Sequence, residues 1–227
     1  KEASDELLFP VGTIPLDKLK AIVVEENFQE LPTALCAAVE QIMEEFHLSG
    51  DPQVIELFLD RTLYNMLIGN ARDFRSAFLE GLFMREVDLT NIKSFLRIKR
   101  MGRNRNFLIK ALLPYGSLPT DLFTNLLDEP LEFLTSRLAM SEYDAVVNEG
   151  VREWQKSGSM TYFEKLADDF LIDYLQQGKR KTFGLEPLVG YLYAKEIEVK
   201  NIRAILVGKI NGLPIEAIRE RLRNVYV

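Results

Sequence analysis

Apolar residues along the chain recur at spacings of three and four, with proline at many segment starts and glycine at many ends, which is the pattern of consecutive amphipathic helices. Alternating runs that would mark strands barely occur. Pro15 opens a predicted helix over 15–27, Pro32 another over 32–47, and Asp51-Pro52 a third reaching Ile68, with Gly50 and Gly69-Asn70 as breaks. A long helix is predicted over 71–101, closed by Gly102, and shorter ones follow over 105–113, 119–127 and 130–139. Ser141 with Asp144 three residues on has the spacing of a capping box, and further helices are expected over 142–156, 161–177 and 186–210. Gly212-Leu213-Pro214 begins a last one that runs nearly to Val227. The expected fold class is therefore all-α, built of helical bundles joined by short connections.

The chain is also similar to itself. Residues 86–102 align without gaps onto 196–212, with Glu, Asn, Ile, Leu, Lys and Gly identical at six of 17 positions. Residues 8–17 align onto 112–121, with five of ten identical. The offsets, 110 and 104, place both windows in one duplicated unit of more than 100 residues. Helical scaffolds built from stacked helix pairs repeat at about 30 to 50 residues, so this duplication is of whole domains. The register divides the chain into helical copies at 8–111 and 112–227, and it makes residues 1–7 the tail of a preceding copy in a three-unit protein.

Composition narrows the chemistry. A chain of 227 residues with 47% hydrophobic and 27% charged side chains buries a core unaided. Its net charge of -6 disfavours general nucleic-acid binding. The single cysteine, Cys36, and single histidine, His47, cannot supply the clustered ligands of a zinc site, so no metal or cofactor is expected. They sit eleven residues apart on one predicted helix, about 16 Å along its axis, too far for a thiol and its base. A lone histidine and the absence of a G-x-S-x-G elbow leave no serine triad. Gly178-Lys179 and Gly208-Lys209 lack the earlier glycine of a phosphate loop. Asp168-Asp169 and Glu44-Glu45 read as solvated faces, and Asn91 and Asn201 as hydrogen-bonding partners of neighbouring chain rather than ligand-binding groups. Lys99 and Lys209, on otherwise apolar stripes, read as stems that carry their charge to the rim. No apolar run reaches a membrane span and no signal-peptide pattern opens the chain, and a single thiol fits a reducing cytoplasm. No catalytic residue emerges.

One charge feature stands out. Between Lys93 and Lys110 seven basic residues occur without an acid, and Arg97, Arg100, Arg103 and Arg105 within it are the candidate partner-binding residues. Such a stretch suits an acidic protein surface, anionic headgroups or RNA, and it also suits a helix C-terminus that simply favours cations. A generic helical adaptor using this stretch, and an acidic active site gathering Glu86 and Asp88, are the competing readings.

The segment from Tyr191 through Lys195-Glu196-Ile197-Glu198-Val199-Lys200-Asn201-Ile202-Arg203, then Gly208-Lys209-Ile210-Asn211-Gly212-Leu213-Pro214, resembles the C subunit of archaeal and bacterial rotary V/A-type ATPases, the counterpart of the eukaryotic d subunit. The copy at 86–93 resembles the equivalent turn of the preceding domain. That resemblance implies a funnel of three similar helical domains about a pseudo-threefold axis, of which this chain matches the second and third. It implies a protein without catalytic activity or cofactor, peripheral on the cytoplasmic side of the membrane. Its partners would be the central stalk, whose tip enters the cavity, and the membrane rotor ring, within a hetero-oligomeric complex for proton or sodium transport or ATP synthesis.

Overall fold

The computed structural model describes residues 10–181 and 183–226, and among them all regular structure is helical. Residues 1–7, expected as the tail of a preceding copy, lie outside the described residues. The chain forms two compact units that divide between Met66 and Leu67.

The first unit holds α1 (Leu16–Val24), a 3-10 turn (Phe28–Glu30), α2 (Thr33–Ser49) and most of α3 (Gln53–Asp73). Pro15 and Pro32 cap α1 and α2 in extended geometry, and α2 ends where Gly50 turns left-handed at φ 64°. Ile22, Ala38, Ile42 and Val54 are buried.

The second unit comprises α4 (Ala77–Arg100), α5 (Arg105–Ala111), α6 (Thr120–Asn125), α7 (Leu131–Leu138), α8 (Asp144–Ser157), α9 (Thr161–Gln176), α10 (Glu186–Ile210) and α11 (Ile215–Arg219). α8 packs on α9, and both long helices, α4 and α10, also lie against α9. Leu89, Ile92, Phe95 and Leu96 of α4 enter a core with Phe123, Leu134, Tyr143, Val147 and Phe163. The boundary at 111/112 read from the repeat thus falls inside this unit, because α4 packs into the bundle that residues 112–176 build.

Three local expectations are corrected. Gly69-Asn70 does not end the third helix, which continues to Asp73; the break comes at Arg75, left-handed at φ 52°, and Ser76 starts α4 by accepting from the Leu79 N–H. Ser141 forms no capping box, since its hydroxyl donates to Leu138 O and accepts from the Tyr143 N–H. The last helix stops at Arg219, because the backbone beyond it is held by side chains of α9 and α10.

The duplication is visible as hydrogen bonds. Asn91, fully buried on α4, donates from Nδ2 to Leu113 O at 2.8 Å and accepts at Oδ1 from Leu113 N at 2.8 Å. Asn201 on α10 does the same to Arg223, at 3.1 and 2.8 Å, across the same 22-residue separation. Both long helices end on a left-handed glycine, Gly102 at φ 61° and Gly212 at φ 67°, and a short helix then begins three residues on, at Arg105 and Ile215. A further correspondence emerges at an offset of 108. Ser49-Gly50 and Ser157-Gly158 close α2 and α8 identically, each serine hydroxyl donating four residues back and accepting from the amide two residues on. Glu56, Asp60 and Leu63 then match Glu164, Asp168 and Leu171.

Truncating either asparagine strands one peptide group. Asn91→Ala is expected to lower unfolding free energy by about 2–4 kcal/mol and Asn201→Ala, at a half-buried site, by about 1–2 kcal/mol. Urea unfolding of the two variants checks this, and equal or inverted losses would contradict it.

Candidate functional site

The acids considered for a cryptic active site, Glu86 and Asp88, each accept hydrogen bonds from neighbouring elements. Asp88, fully buried, accepts from Ser117 N at 3.0 Å, Ser117 Oγ at 2.5 Å, Leu118 N at 2.9 Å and the Tyr143 hydroxyl at 2.7 Å. Four donors saturate the carboxylate, leaving little acceptor capacity for a substrate. Burial and the adjacent Asp88 charge push the Tyr143 hydroxyl far above the usual phenol range, so it stays a donor. Gly116 is required here, because a Cβ on it would run into Asp88 Oδ1.

A second polar cluster joins α4, α9, α10 and the segment after α11. Asp168 accepts from Lys200 at 3.0 Å and Arg223 Nε at 2.8 Å, and Lys200 also pairs with Glu196 at 2.9 Å. Asp169 pairs with Lys165 at 2.7 Å and accepts from Asn224 N at 2.6 Å. Asp168 and Asp169, expected on a solvated face, are therefore spent on fixing the chain beyond α11. Glu86 accepts from the Tyr193 hydroxyl across α4 and α10. Burial raises its carboxyl above the usual range, against the lowering influence of Tyr193, Lys200 and Lys93. Lys93 is itself pulled down by burial, within the field of Asp168 and Glu164. Asp168 and Asp169 are paired with cations from the same helix and from neighbouring segments, a composition suited to joining helices.

Cys36 and His47 lie on α2 as expected, in its first and last turns. The thiol donates to Glu40 at 3.7 Å, and desolvation followed by the Glu40 charge raises it, away from the reactive thiolate. Among the described residues no helix is long and apolar enough to cross a membrane.

The basic stretch occupies the C-terminal half of α4, the Gly102 turn and α5. Arg97, Arg100, Arg103 and Arg105 are all exposed. Arg97 pairs with Glu164 at 2.7 Å and Arg105 with Asp128 at 3.5 Å, Arg100 donates to Gly158 O, and Arg103 lies over the Phe107 ring at 5.3 Å. Lys99 is spent differently: its ammonium reaches Leu127 O and Glu129 O, where the chain leaves α6. The sequence shows seven uncompensated cations, whereas the fold brings acids and carbonyls to several of them. Surface pairs of this kind contribute little stability and exchange readily for a partner's carboxylates.

The arrangement as a whole offers joints and an exposed cationic ridge. Residues 1–221 match the family model of the ATP synthase (C/AC39) subunit. The chain belongs to this family. Relatives of the C/AC39 family include the C subunit of the V-type sodium ATPase of Enterococcus hirae, 28% identical over 98% of this chain and 67% of its own length. The C subunit of the A-type ATP synthase of Methanocaldococcus jannaschii is 29% identical over 97% of this chain and 58% of its own. That of Halorubrum lacusprofundi is 32% identical over 78% of this chain and 51% of its own. The chain thus spans about half to two thirds of the length of these relatives. No solved structure matches it. The relatives named are subunits of a V-type sodium ATPase and of A-type ATP synthases.

The buried Glu86 gives a pH test. Its folded pKa lies above the ordinary 4.5, so the folded chain holds this proton more tightly than the unfolded one. The resulting stabilisation is fully present below 4.5 and is lost as pH rises through the folded value. Glu86→Gln, which keeps an acceptor for Tyr193, is expected to be more stable than the parent at pH 7, with the difference shrinking on acidification toward 4.5. Urea midpoints across that range measure it; a difference that widens on acidification contradicts the assignment.

Proposed function

We propose that this chain is a non-catalytic coupling subunit of a rotary V/A-type ATPase, seating the central stalk on the membrane rotor ring from the cytoplasmic side. The observation that carries this reading is the family match over residues 1–221. The geometry agrees with it. A part under torque needs interfaces that resist shear, and directional buried hydrogen bonds do this better than apolar contact alone. Asn91, Asn201 and Asp88 provide them where the long helices meet the following chain. In this role the domain-scale copies 8–111 and 112–227 form part of the wall of a funnel, and membrane attachment is through the complex only. The relatives' names, a sodium ATPase and ATP synthases, make sodium or proton transport, or ATP synthesis, the work of the whole machine.

Within this role Arg97, Arg100, Arg103 and Arg105 form the partner-facing ridge. An acidic protein surface fits it better than RNA, because the ridge offers little aromatic surface for base stacking and two of its guanidinium groups, those of Arg97 and Arg105, already engage carboxylates. The test uses the full chain with purified stalk and ring proteins. Arg100→Glu/Arg103→Glu is expected to weaken association roughly tenfold at low ionic strength, with the loss narrowing as salt is raised. An affinity unchanged at every salt concentration removes the ridge from the interface, and failure of the unaltered chain to bind either partner removes the coupling role.

A further inference from the structure

The joint between α4 and α10 holds two charged residues without a counter-ion in contact. Glu86 and Lys93 stand seven residues apart on α4, two turns and so about 10 Å along one face. Both are half-buried, and among the described residues neither forms an ion pair. The surrounding cations behave differently, since Arg85, Arg97, Lys165, Lys200 and Arg223 all have carboxylate partners. Glu86 accepts one hydrogen bond, from the Tyr193 hydroxyl of α10.

The groups around Glu86 explain why no cation reaches it. α10 presents Tyr193, Glu196 and Lys200, and α4 itself presents Lys93. Lys200 is already shared, held by Glu196 at 2.9 Å and by Asp168 of α9 at 3.0 Å. Lys93 in turn lies in the field of Asp168 and Glu164 of α9, Lys200 of α10 and Arg97 of its own helix. Desolvation is the largest influence on both residues, raising the Glu86 carboxyl and lowering the Lys93 ammonium. α10 contributes to that burial: its Tyr193 and Ile197 pack with Phe78, Leu82 and Phe83 of α4 and Ile172 and Leu175 of α9 in a small core of their own. This helix thus covers a carboxylate to which it supplies one neutral donor and, in Glu196, a like charge.

We propose that Glu86 makes the seating of α10 on α4 and α9 responsive to protons: the helix is held tightly when Glu86 is protonated and is released more readily when Glu86 carries its charge. Lifting α10 returns the carboxylate to water and takes Glu196 away from it, so in the lifted form Glu86 titrates near the ordinary 4.5. Seated, the carboxyl holds its proton more tightly, and linkage then makes proton binding favour the seated form. That preference is complete below 4.5 and is lost as pH rises through the seated value. A protonated carboxyl still accepts from Tyr193, so protonation removes the charge without breaking the hydrogen bond. Lys93 acts in the opposite sense at alkaline pH, where losing its proton favours seating. The helix is therefore held least firmly between the two titrations. The response is local, because α8 buries Val146, Val147 and Val151 in the separate core around Phe123 and Tyr143.

The test is amide hydrogen exchange of the full chain over roughly pH 4.5 to 7.5, each peptide corrected for its intrinsic rate and α8 serving as the internal reference. Protection of α10 is expected to fall several-fold across that range while α8 keeps its own. Glu86→Gln, with no charge to gain, is expected to hold α10 at its acid-side protection throughout. Tyr193→Phe keeps the ring in the small core and removes the donor that favours the carboxylate, so the fall is expected to persist with its midpoint moved to higher pH. Three results would overturn the proposal: α10 protection that tracks α8 at every pH, a Glu86→Gln chain that keeps the parent's fall, or a Tyr193→Phe chain whose midpoint stays in place or moves down.

Discussion

A buried primary amide needs one donor and one acceptor at the spacing of a single peptide group, and extended backbone running past a helix is one of the few arrangements that supplies both. Asn91 and Leu113 meet this requirement, and so do Asn201 and Arg223. The constraint reaches far along the chain. In both cases the chain returns to the asparagine after leaving the long helix through a left-handed glycine and making one short helix. The short helix differs in length, seven residues in α5 and five in α11, so the return and the glycine are what the two copies share.

From that clamp follows the way the repeats interlock. Because α4 is pinned to the start of the next repeat, its apolar face is delivered to the next bundle, where Phe95 and Leu96 help complete the core around Phe123. Asp88 reinforces the same joint from one turn earlier, receiving four hydrogen bonds from residues 117, 118 and 143. Sharing a core in this way ties α4 firmly to the bundle of residues 112–176, since bending one against the other exposes buried area and breaks hydrogen bonds with fixed directions. Asp88 and Asp169 are both spent in this way, on backbone of the chain that follows the long helices.

Helix identity was legible in the sequence because it depends on local periodicity, and so was the duplication over 86–102 and 196–212. The boundary errors share a cause. Gly69-Asn70 has the composition of a break, yet nothing local forbids glycine inside a helix, and the break belongs to Arg75 and Ser76. The end of α11 is dictated by Asn201, Asp168 and Asp169, which come from helices 22 to 55 residues away. The match at offset 108 escaped because five identities scattered over 15 positions are weak until the shared serine–glycine cap reveals the register. The basic stretch was misleading in a different way. Its local excess of cations is real, but Glu164 arrives from 67 residues away, Asp128 from 23, and the Gly158 carbonyl from 58.

The two long helices carry the same pattern and meet different fates, which separates what a sequence encodes from what one molecule can satisfy. Val199, Ile202 and Leu206 are spaced to bury a helix face, and their counterparts on α4 do so completely. Exposed on α10, the same face is an apolar stripe of the kind that soluble surfaces avoid unless another surface covers it. Glu198 tells the same story in polar terms: Asp88 fills a nest of four donors, whereas Glu198 has an exposed lysine, Lys195, at 2.7 Å. An acid, an asparagine and three apolar residues held at matched positions describe a helix shaped for a bundle. The asparagine is already engaged by the chain's own Arg223, so half of the joint is assembled and only the bundle face is open.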